Sequence, residues 1–260
     1  MKRPRSYVGL TGFEGQDQVR ALRNAVPVDR LMMVGCGMQG HPVQWAPDKW
    51  PNRCPPPWKQ RHIFSSMPNV LNILHFTPLE GCDLFEHMCL AHHGAGPHFH
   101  GFQLNTVWPD IASLVRYKKR FPHAVVTIAL QPESLDSVQW EPKEIARRLA
   151  LYDDIVNYAI LDPSAGRGQE INVAFTRRCY EAINRLMPNL GLVAAGGLHA
   201  DNVEDKLSGL LREFPLSTDA EGKLRTPDDH LDVAKAIRYM HATDALLRKF
   251  EAQRQPQLVN

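Results

Sequence analysis

Residues 158–172 read YAILDPSAGRGQEIN, and residues 190–207 read LGLVAAGGLHADNVEDKL. In each stretch a short apolar run ends at a polar or glycine-rich turn, and the second leads into a segment with apolar residues at helical spacing. Parallel strands that are buried on both faces read as such apolar runs, and covering helices follow them along the chain. The two stretches therefore predict βαβ units in an α/β fold.

The same alternation extends over the whole chain and predicts eight strands. A chain of 260 residues, 43% of them hydrophobic, has the usual size of one α/β barrel and can bury one core. We therefore expect residues 1–250 to form a single (β/α)8 TIM barrel with its functional face at the carboxyl ends of the strands. The predicted strands are 7–10, 31–35, 70–76, 101–105, 124–130, 158–162, 191–195 and 216–219.

Amphipathic segments between the strands predict the covering helices, the clearest at 16–26, 109–120, 142–152, 173–187 and 202–212. The last helix has a start signal, because Thr226 can cap it and Pro227 suits the first helical position. We expect that helix to end near Lys249 and residues 251–260 to be a disordered tail.

Residues 41–68 form a proline- and tryptophan-rich insertion after the second strand. Prolines remove backbone donors and fix φ, so the segment is predicted as an extended loop on the catalytic face and not as helix. A substrate lid and a packed loop that seals one end of the barrel are both consistent with this composition. The residues in question are Pro42, Pro47, Pro51, Pro55, Pro56, Pro57, Pro68, Trp45, Trp50 and Trp58.

Composition argues against several classes of partner. The net charge of +2 and the scattered Lys and Arg residues give no electrostatic footprint for nucleic acid. The five cysteines have no C-x-x-C pair, which argues against a disulfide framework or a zinc knuckle. The opening MKRPRSYVGL lacks a signal-peptide apolar stretch and no run is long enough to cross a bilayer, so a cytoplasmic protein without a membrane partner is expected.

The two quoted stretches, together with YVGLTGFEGQDQVRAL at 7–22 and FQLNTVWPD at 102–110, resemble motifs of phosphoribosylanthranilate isomerase, a (β/α) barrel enzyme of tryptophan biosynthesis. They are similar to that family's sixth, seventh, first and fourth strands, in the same order. The resemblance covers most of the chain. It implies that Asp162 at the end of the sixth strand is the general acid.

The sequence departs from that family at the base and at the phosphate loop. A cysteine before the Gly-Leu-Thr turn is the family's general base, and Val8 stands at the matching position. Cys36 offers another thiol, although a small buried cysteine is the more frequent outcome. After the eighth strand LSTDAEGKLR places Asp219 and Glu221 where a phosphate dianion would be repelled, while Lys223 and Arg225 could restore attraction.

The candidate site residues stand at strand ends and in the loops that follow them. The catalytic candidates are Asp162, His75 and Asp219. No cofactor or metal is predicted, although His75, Asp162, Asp219 and Glu221 would suit a divalent cation if they converged. The candidates for substrate or phosphate binding are Gly196, Gly197, Glu221, Gly222, Lys223, Arg53, Arg167, Asn105 and Gln131.

The sequence thus favours an isomerase- or lyase-type enzyme that acts on a small phosphorylated or carboxylated sugar derivative, with a substrate changed from that of the family. The alternative is a barrel that has lost catalysis and binds a metabolite or a protein partner. Asp162, His75 and Asp219 together favour the enzyme, whereas the missing cysteine favours the alternative. The sequence does not indicate an oligomeric state.

Overall fold

A computed structural model describes residues 2–44, 50–163 and 167–254. Eight parallel strands form a closed barrel in chain order, and β1 pairs with β8 to complete it. The prediction of a (β/α)8 TIM barrel is confirmed. The strands are β1 (Tyr7–Thr11), β2 (Leu31–Gln39), β3 (Val70–Thr77), β4 (Gly101–Leu104), β5 (Val125–Leu130), β6 (Tyr158–Leu161), β7 (Gly191–Ala194) and β8 (Leu216–Ala220).

Helices cover the outside of the barrel and connect consecutive strands. A short 3₁₀ helix, Gly222–Leu224, follows β8. The α-helices are α1 (Gln16–Asn24), α2 (Pro57–Ile63), α3 (Leu84–Ala95), α4 (Ile111–Arg120), α5 (Pro132–Asp136), α6 (Pro142–Ala150), α7 (Val173–Leu186), α8 (Val203–Glu213) and α9 (Val233–Arg254). Within the described ranges, no helix combines the length and apolar character needed to cross a membrane.

Side chains alternate along the strands between the barrel interior and the layer beneath the helices. Val8 and Cys36 belong to the large cluster of buried residues that includes the helices, so they face outward. The smaller interior cluster consists of Tyr7, Met33, Leu71, Ile73, Ala129, Tyr158, Ile160, Val193 and Ala195. Every second side chain of a strand lies on the same face, so residues two or four positions after the last one in this cluster also face the interior. These later residues lie at the carboxyl-terminal opening of the barrel. On β1 and β3 they include Thr11 and His75.

The prediction that the insertion 41–68 contains no helix is wrong. The helix α2 starts within it at Pro57, and proline is tolerated there because the first helical residues have no intrahelical N–H bond to make. Trp45 and Pro47 lie outside the described residues.

The predicted start and end of the last helix are also wrong. Thr226 and Pro227 lie in a turn, and α9 begins at Val233, where the side chain of Asp232 accepts a hydrogen bond from Lys235 N at 3.0 Å. The helix continues to Arg254, so 251–254 are helical and not part of a tail; residues 255–260 lie outside the described part of the chain.

Candidate active site

A cavity of about 610 Å³ opens at the carboxyl ends of the strands. The three candidate catalytic residues, Asp162, His75 and Asp219, all line it. Five of the predicted binding residues line it as well: Glu221, Arg53, Arg167, Asn105 and Gln131. Side chains that the sequence analysis did not single out, including Thr11, Gln39, Trp50, Thr77, Glu80, Gln103 and Glu133, complete much of its polar wall.

His75 and Asp219 meet at the hydroxyl of Thr11 on the floor of this cavity. The Thr11 hydroxyl donates to Asp219 at 3.1 Å and lies 3.3 Å from Nε2 of His75. Burial lowers the pKa of His75 to about 3, so its imidazole is neutral at ordinary pH. Burial and the nearby Glu221 carboxyl raise the pKa of Asp219 well above its usual range, although the Thr11 hydrogen bond lowers it. Asp219 therefore keeps its proton to a higher pH than an exposed aspartate.

Glu221 directly follows β8, two residues after Asp219, and lines the same cavity. Burial raises its pKa to about 7, with the charges of Asp162 and Asp229 adding to the effect. The guanidinium groups of Arg53 and Arg225 act in the opposite direction. A carboxyl group that titrates near neutral pH can both accept and donate a proton there, as acid–base catalysis requires.

Arg53 enters the site from the insertion after β2. Its Nε and Nη2 atoms each bond Asp229 Oδ1, at 2.9 Å and 2.7 Å, and its Nη1 lies 3.7 Å from Glu221 Oε1. The guanidinium also lies 4.6 Å from the centre of the Trp50 ring. Arg53 therefore occupies the predicted site while its charge is shared between two carboxylates of the loop that follows β8.

Gly37 explains how the insertion can lie so close to the barrel. Its backbone N–H donates to the carbonyl of Arg53 at 2.9 Å. A Cβ atom on Gly37 would stand 2.6 Å from Cys54 Sγ and 2.9 Å from that carbonyl oxygen, which is closer than packing allows. Glycine at this position lets the insertion form one wall of the cavity.

The loop after β8 is tied to the loop after β1. Arg225 is buried and donates from Nη1 to the carbonyl of Gly12 at 2.8 Å, and its Nη2 lies 3.3 Å from Glu14 Oε1. Glu14 also accepts from the backbone N–H of Leu231 at 2.8 Å. These contacts hold the loop that carries Asp229 against the barrel.

Neutral amides also line the cavity. Asn105 and Gln131, both predicted from their places after β4 and β5, are half-buried in the cavity. Gln103 donates from Nε2 to Asn105 Oδ1 at 3.2 Å, which fixes one amide relative to the other. Amide groups can donate to and accept from hydroxyl groups, so this wall suits a polyhydroxylated ligand.

The two glycines that follow β7, Gly196 and Gly197, do not line the cavity. Both have positive φ, and a Cβ on Gly197 would stand 2.8 Å from the carbonyl oxygen of Gly168. The carbonyl of Gly196 accepts from Ile171 N at 3.1 Å. The space above this turn is thus filled by the backbone after β6, which favours a structural reason for the glycines over an anion site.

Gly222 and Lys223 also lie apart from the large cavity. Gly222 begins the 3₁₀ helix, and the exposed Lys223 lines a separate depression of about 220 Å³ with His199, Lys235 and Arg238. We predicted these residues together with Glu221 because they are neighbours in the chain. The 3₁₀ turn places them away from the large cavity.

Val8 and Cys36 do not supply a base to the cavity. Both are fully buried in the layer between the strands and the helices. The Cys36 thiol donates to the Phe13 carbonyl at 3.8 Å, and burial raises its pKa. The position that matches the family cysteine by motif is therefore not a catalytic position in this chain.

The described residues contain no preformed site for a divalent cation. Among the described residues, no group of three or more His, Cys, Asp or Glu side chains has an arrangement that could hold a metal ion. His75, Asp162, Asp219 and Glu221 share the cavity without that geometry.

Comparison with solved structures places this architecture among known barrels. The phosphoribosylanthranilate isomerase from Thermus thermophilus aligns over 92% of this chain and 99% of its own, with a TM-score of 0.61 and 13% identity. Monomeric forms of the dimeric enzyme from Thermotoga maritima align over the same shares, with a TM-score of 0.65 and 13% identity.

The tryptophan synthase α subunit from Legionella pneumophila aligns over 94% of this chain and 93% of its own, with a TM-score of 0.57 and 9% identity. No protein-family model matches the chain, and no curated protein matches it. Structural likeness at such low identity establishes the fold. The comparison therefore confirms, for the fold, the resemblance to phosphoribosylanthranilate isomerase that the sequence motifs indicate.

Proposed function

We propose that this protein is an isomerase- or lyase-type enzyme that moves protons on a small carboxylated or phosphorylated sugar derivative bound at the barrel mouth. The observation that carries this proposal is the convergence of Asp162, Asp219 and Glu221 on one open cavity. Burial raises the pKa values of Asp219 and Glu221, and perturbed carboxyl groups that share a cleft are candidates for a functional site. Proton transfer gives them a chemical role.

The pKa values support a division of roles within this group. Glu221, with a pKa of about 7, is the proposed base that removes a proton from a carbon next to a carbonyl group. Asp219, whose pKa burial raises well above its usual range, is a proposed donor to the oxygen that gains negative charge. Asp162 is the second proposed donor, because it lines the same cavity and the family resemblance implies that role. In an isomerisation the proton held by Glu221 then goes to the neighbouring carbon, and the hydroxyl group on the carbon that was first deprotonated gives its proton back to the acid, so both groups end in their original state.

The cavity walls support a polyhydroxylated, anionic ligand. Gln103, Asn105 and Gln131 offer amides for hydroxyl groups, and Arg53 and Arg167 are the cationic side chains among the described lining residues. An arginine guanidinium binds a carboxylate or phosphate oxygen through charge-assisted hydrogen bonds. Arg53 retains its predicted role as an anion contact only in part, because Asp229 already holds two of its nitrogens.

Deuterium incorporation from solvent tests the function before any product is known. Aldoses, ketoses, sugar phosphates and sugar acids are incubated with the protein in D₂O, and loss of the carbon-bound proton signal is followed by NMR. At least one ligand should exchange with the wild-type protein, and Glu221→Gln should reduce that exchange by about 10²- to 10⁴-fold, as expected for loss of a general base.

Glu133→Gln is the matched control, because Glu133 lines the same cavity but is exposed at its rim. Exchange should persist in that variant. If ligands bind but none exchanges, the barrel is a binding protein and the enzymatic proposal fails. If exchange is equal in Glu221→Gln and wild type, the assignment of the base is wrong.

A further inference from the structure

Asp229 lies outside the cavity lining but holds the arginine that faces Glu221. We propose that Asp229 is a positioning residue: by binding Arg53 it prevents that arginine from neutralising Glu221, and so leaves Glu221 able to exchange a proton with a bound substrate. This inference rests on the proposed acid–base function and adds a residue that sets the state of the base.

The geometry of Arg53 shows which carboxylate it prefers. The Asp229 carboxylate contacts two of its nitrogens, with Nε 2.9 Å from Oδ1, Nε 3.0 Å from Oδ2 and Nη2 2.7 Å from Oδ1. Glu221 Oε1 lies 3.7 Å from Nη1, which is within ion-pair range but beyond a hydrogen bond. Asp229 therefore receives shorter and better directed contacts from Arg53 than Glu221 does.

Arg53 cannot readily turn toward Glu221 while these contacts persist. It is buried, its guanidinium lies over the Trp50 ring, and its carbonyl accepts from Gly37 on β2. Directional bonds on one side and an aromatic face on the other fix the plane of the guanidinium.

The loop that carries Asp229 is built to present this carboxylate. Asp229 has φ 62°, in the left-handed region that residues other than glycine seldom adopt. Its N–H donates to the Thr226 carbonyl at 3.0 Å, its own carbonyl accepts from Arg225 Nη2, and Asn52 Nδ2 donates to the Asp228 carbonyl at 3.2 Å. The loops after β2 and β8 are thereby joined around one ion pair.

The charges that face Glu221 come from three parts of the barrel. Arg53 comes from the loop after β2, Asp162 from the end of β6, and Asp219, Arg225 and Asp229 from β8 and its loop. Removing the negative charge of Asp229 takes away a group that raises the pKa of Glu221 and releases an arginine that lowers it. Both effects lower the pKa, so the direction of the change is unambiguous.

Titration of Glu221 in Asp229→Asn tests the inference without any substrate. The protein is labelled with ¹³C at the glutamate side-chain carboxyl, and the Glu221 signal is identified by its loss in Glu221→Gln. The wild-type midpoint should lie near pH 7. In Asp229→Asn it should fall by about one pH unit or more.

Asp228→Asn is the matched control, because Asp228 is the neighbouring carboxylate but its side chain is 74% exposed. That variant should keep the wild-type midpoint, and Asp229→Glu, which retains the charge, should restore most of it. An Asp229→Asn midpoint equal to or above the wild-type value would overturn the inference. So would an equal fall in Asp228→Asn.

The deuterium assay then separates this inference from the proposed function. If exchange occurs, the acidic limb of its pH profile should move down in Asp229→Asn by the same amount as the NMR midpoint. A merely structural role would lower the rate without moving that limb. If the midpoint moves but no ligand ever exchanges, the positioning role stands and the enzymatic proposal fails.

Discussion

Replacing Glu221 with glutamine should change how the stability of the protein depends on pH. The folded protein holds the Glu221 pKa at about 7 instead of the ordinary 4.5. Between these two pH values the folded state binds more protons than the unfolded state. The contribution of this group to stability is therefore fully present below about pH 4.5 and is lost as the pH rises through 7.

The size of the effect follows from the same two values. Their difference corresponds to about 3 kcal/mol, and partial exposure of the Glu221 side chain reduces this to about 2 to 3 kcal/mol. Glutamine does not titrate and has nearly the same shape. Relative to wild type, Glu221→Gln should therefore gain about 2 to 3 kcal/mol of unfolding free energy between pH 5 and pH 8.

Urea unfolding at pH 5, 6, 7 and 8 measures this difference directly. Glu133→Gln serves as the control because that carboxylate is exposed at the rim, and its difference from wild type should change little with pH. The reasoning is refuted if the difference between Glu221→Gln and wild type is the same at pH 5 and pH 8. It is also refuted if the variant becomes relatively less stable as the pH rises.

Three further predictions concern the surroundings of the site. Thr11→Val removes the hydroxyl that joins His75 and Asp219, so urea unfolding should show a loss of about 1 to 2 kcal/mol, whereas a neutral result would mean that the hydroxyl is dispensable. Gly197→Ala should lower the melting temperature more than Gly81→Ala does. Both glycines have positive φ, but only at Gly197 would the added Cβ meet an atom at 2.8 Å. Equal losses would contradict the packing of the turn after β7. Val8→Cys should add no reactive thiol in the folded state, since that side chain is fully buried beneath the helices; one extra thiol titrated by a disulfide reagent would contradict the strand register.

The strands could be predicted from the sequence because each is a short apolar run between polar segments. The predicted bounds of β1 to β8 differ from the structure by at most four residues at an end, the largest difference being the extension of β2 to Gln39.

The start of α9 could not be predicted from Thr226 and Pro227. Their capping chemistry is sound locally, but long-range bonds to Glu14 and Arg53 hold that segment as a loop.

The site was most readily predictable where a strand end determines it. Asp162, His75 and Asp219 follow apolar runs, so their convergence could be expected from the barrel alone. Thr11 was within a quoted motif, and the two-residue period of β1 could have identified it.

The roles of Arg53 and Glu221 depend on contacts that no local pattern carries. Arg53 reaches the mouth from the insertion after β2, and its partner Asp229 lies 176 residues away in the chain. The sequence predicted Arg53 and Glu221 as binding residues. It did not reveal that Asp229 binds the same arginine that lies near Glu221.

Binding of a small anionic sugar derivative at the barrel mouth can be tested by blocking that mouth with a bulky side chain. Melting temperatures are measured for wild type, Thr106→Trp, which adds bulk to the cavity lining, and Val115→Trp, which adds bulk to exposed α4. A ligand at about 100 times its Kd stabilises the native state by about 2.7 kcal/mol, which raises the melting temperature of a protein of this size by roughly 5 to 10 °C. We expect a sugar acid or sugar phosphate to produce this rise in wild type and Val115→Trp but not in Thr106→Trp. A rise that persists in Thr106→Trp, or no rise with any such ligand, would contradict it.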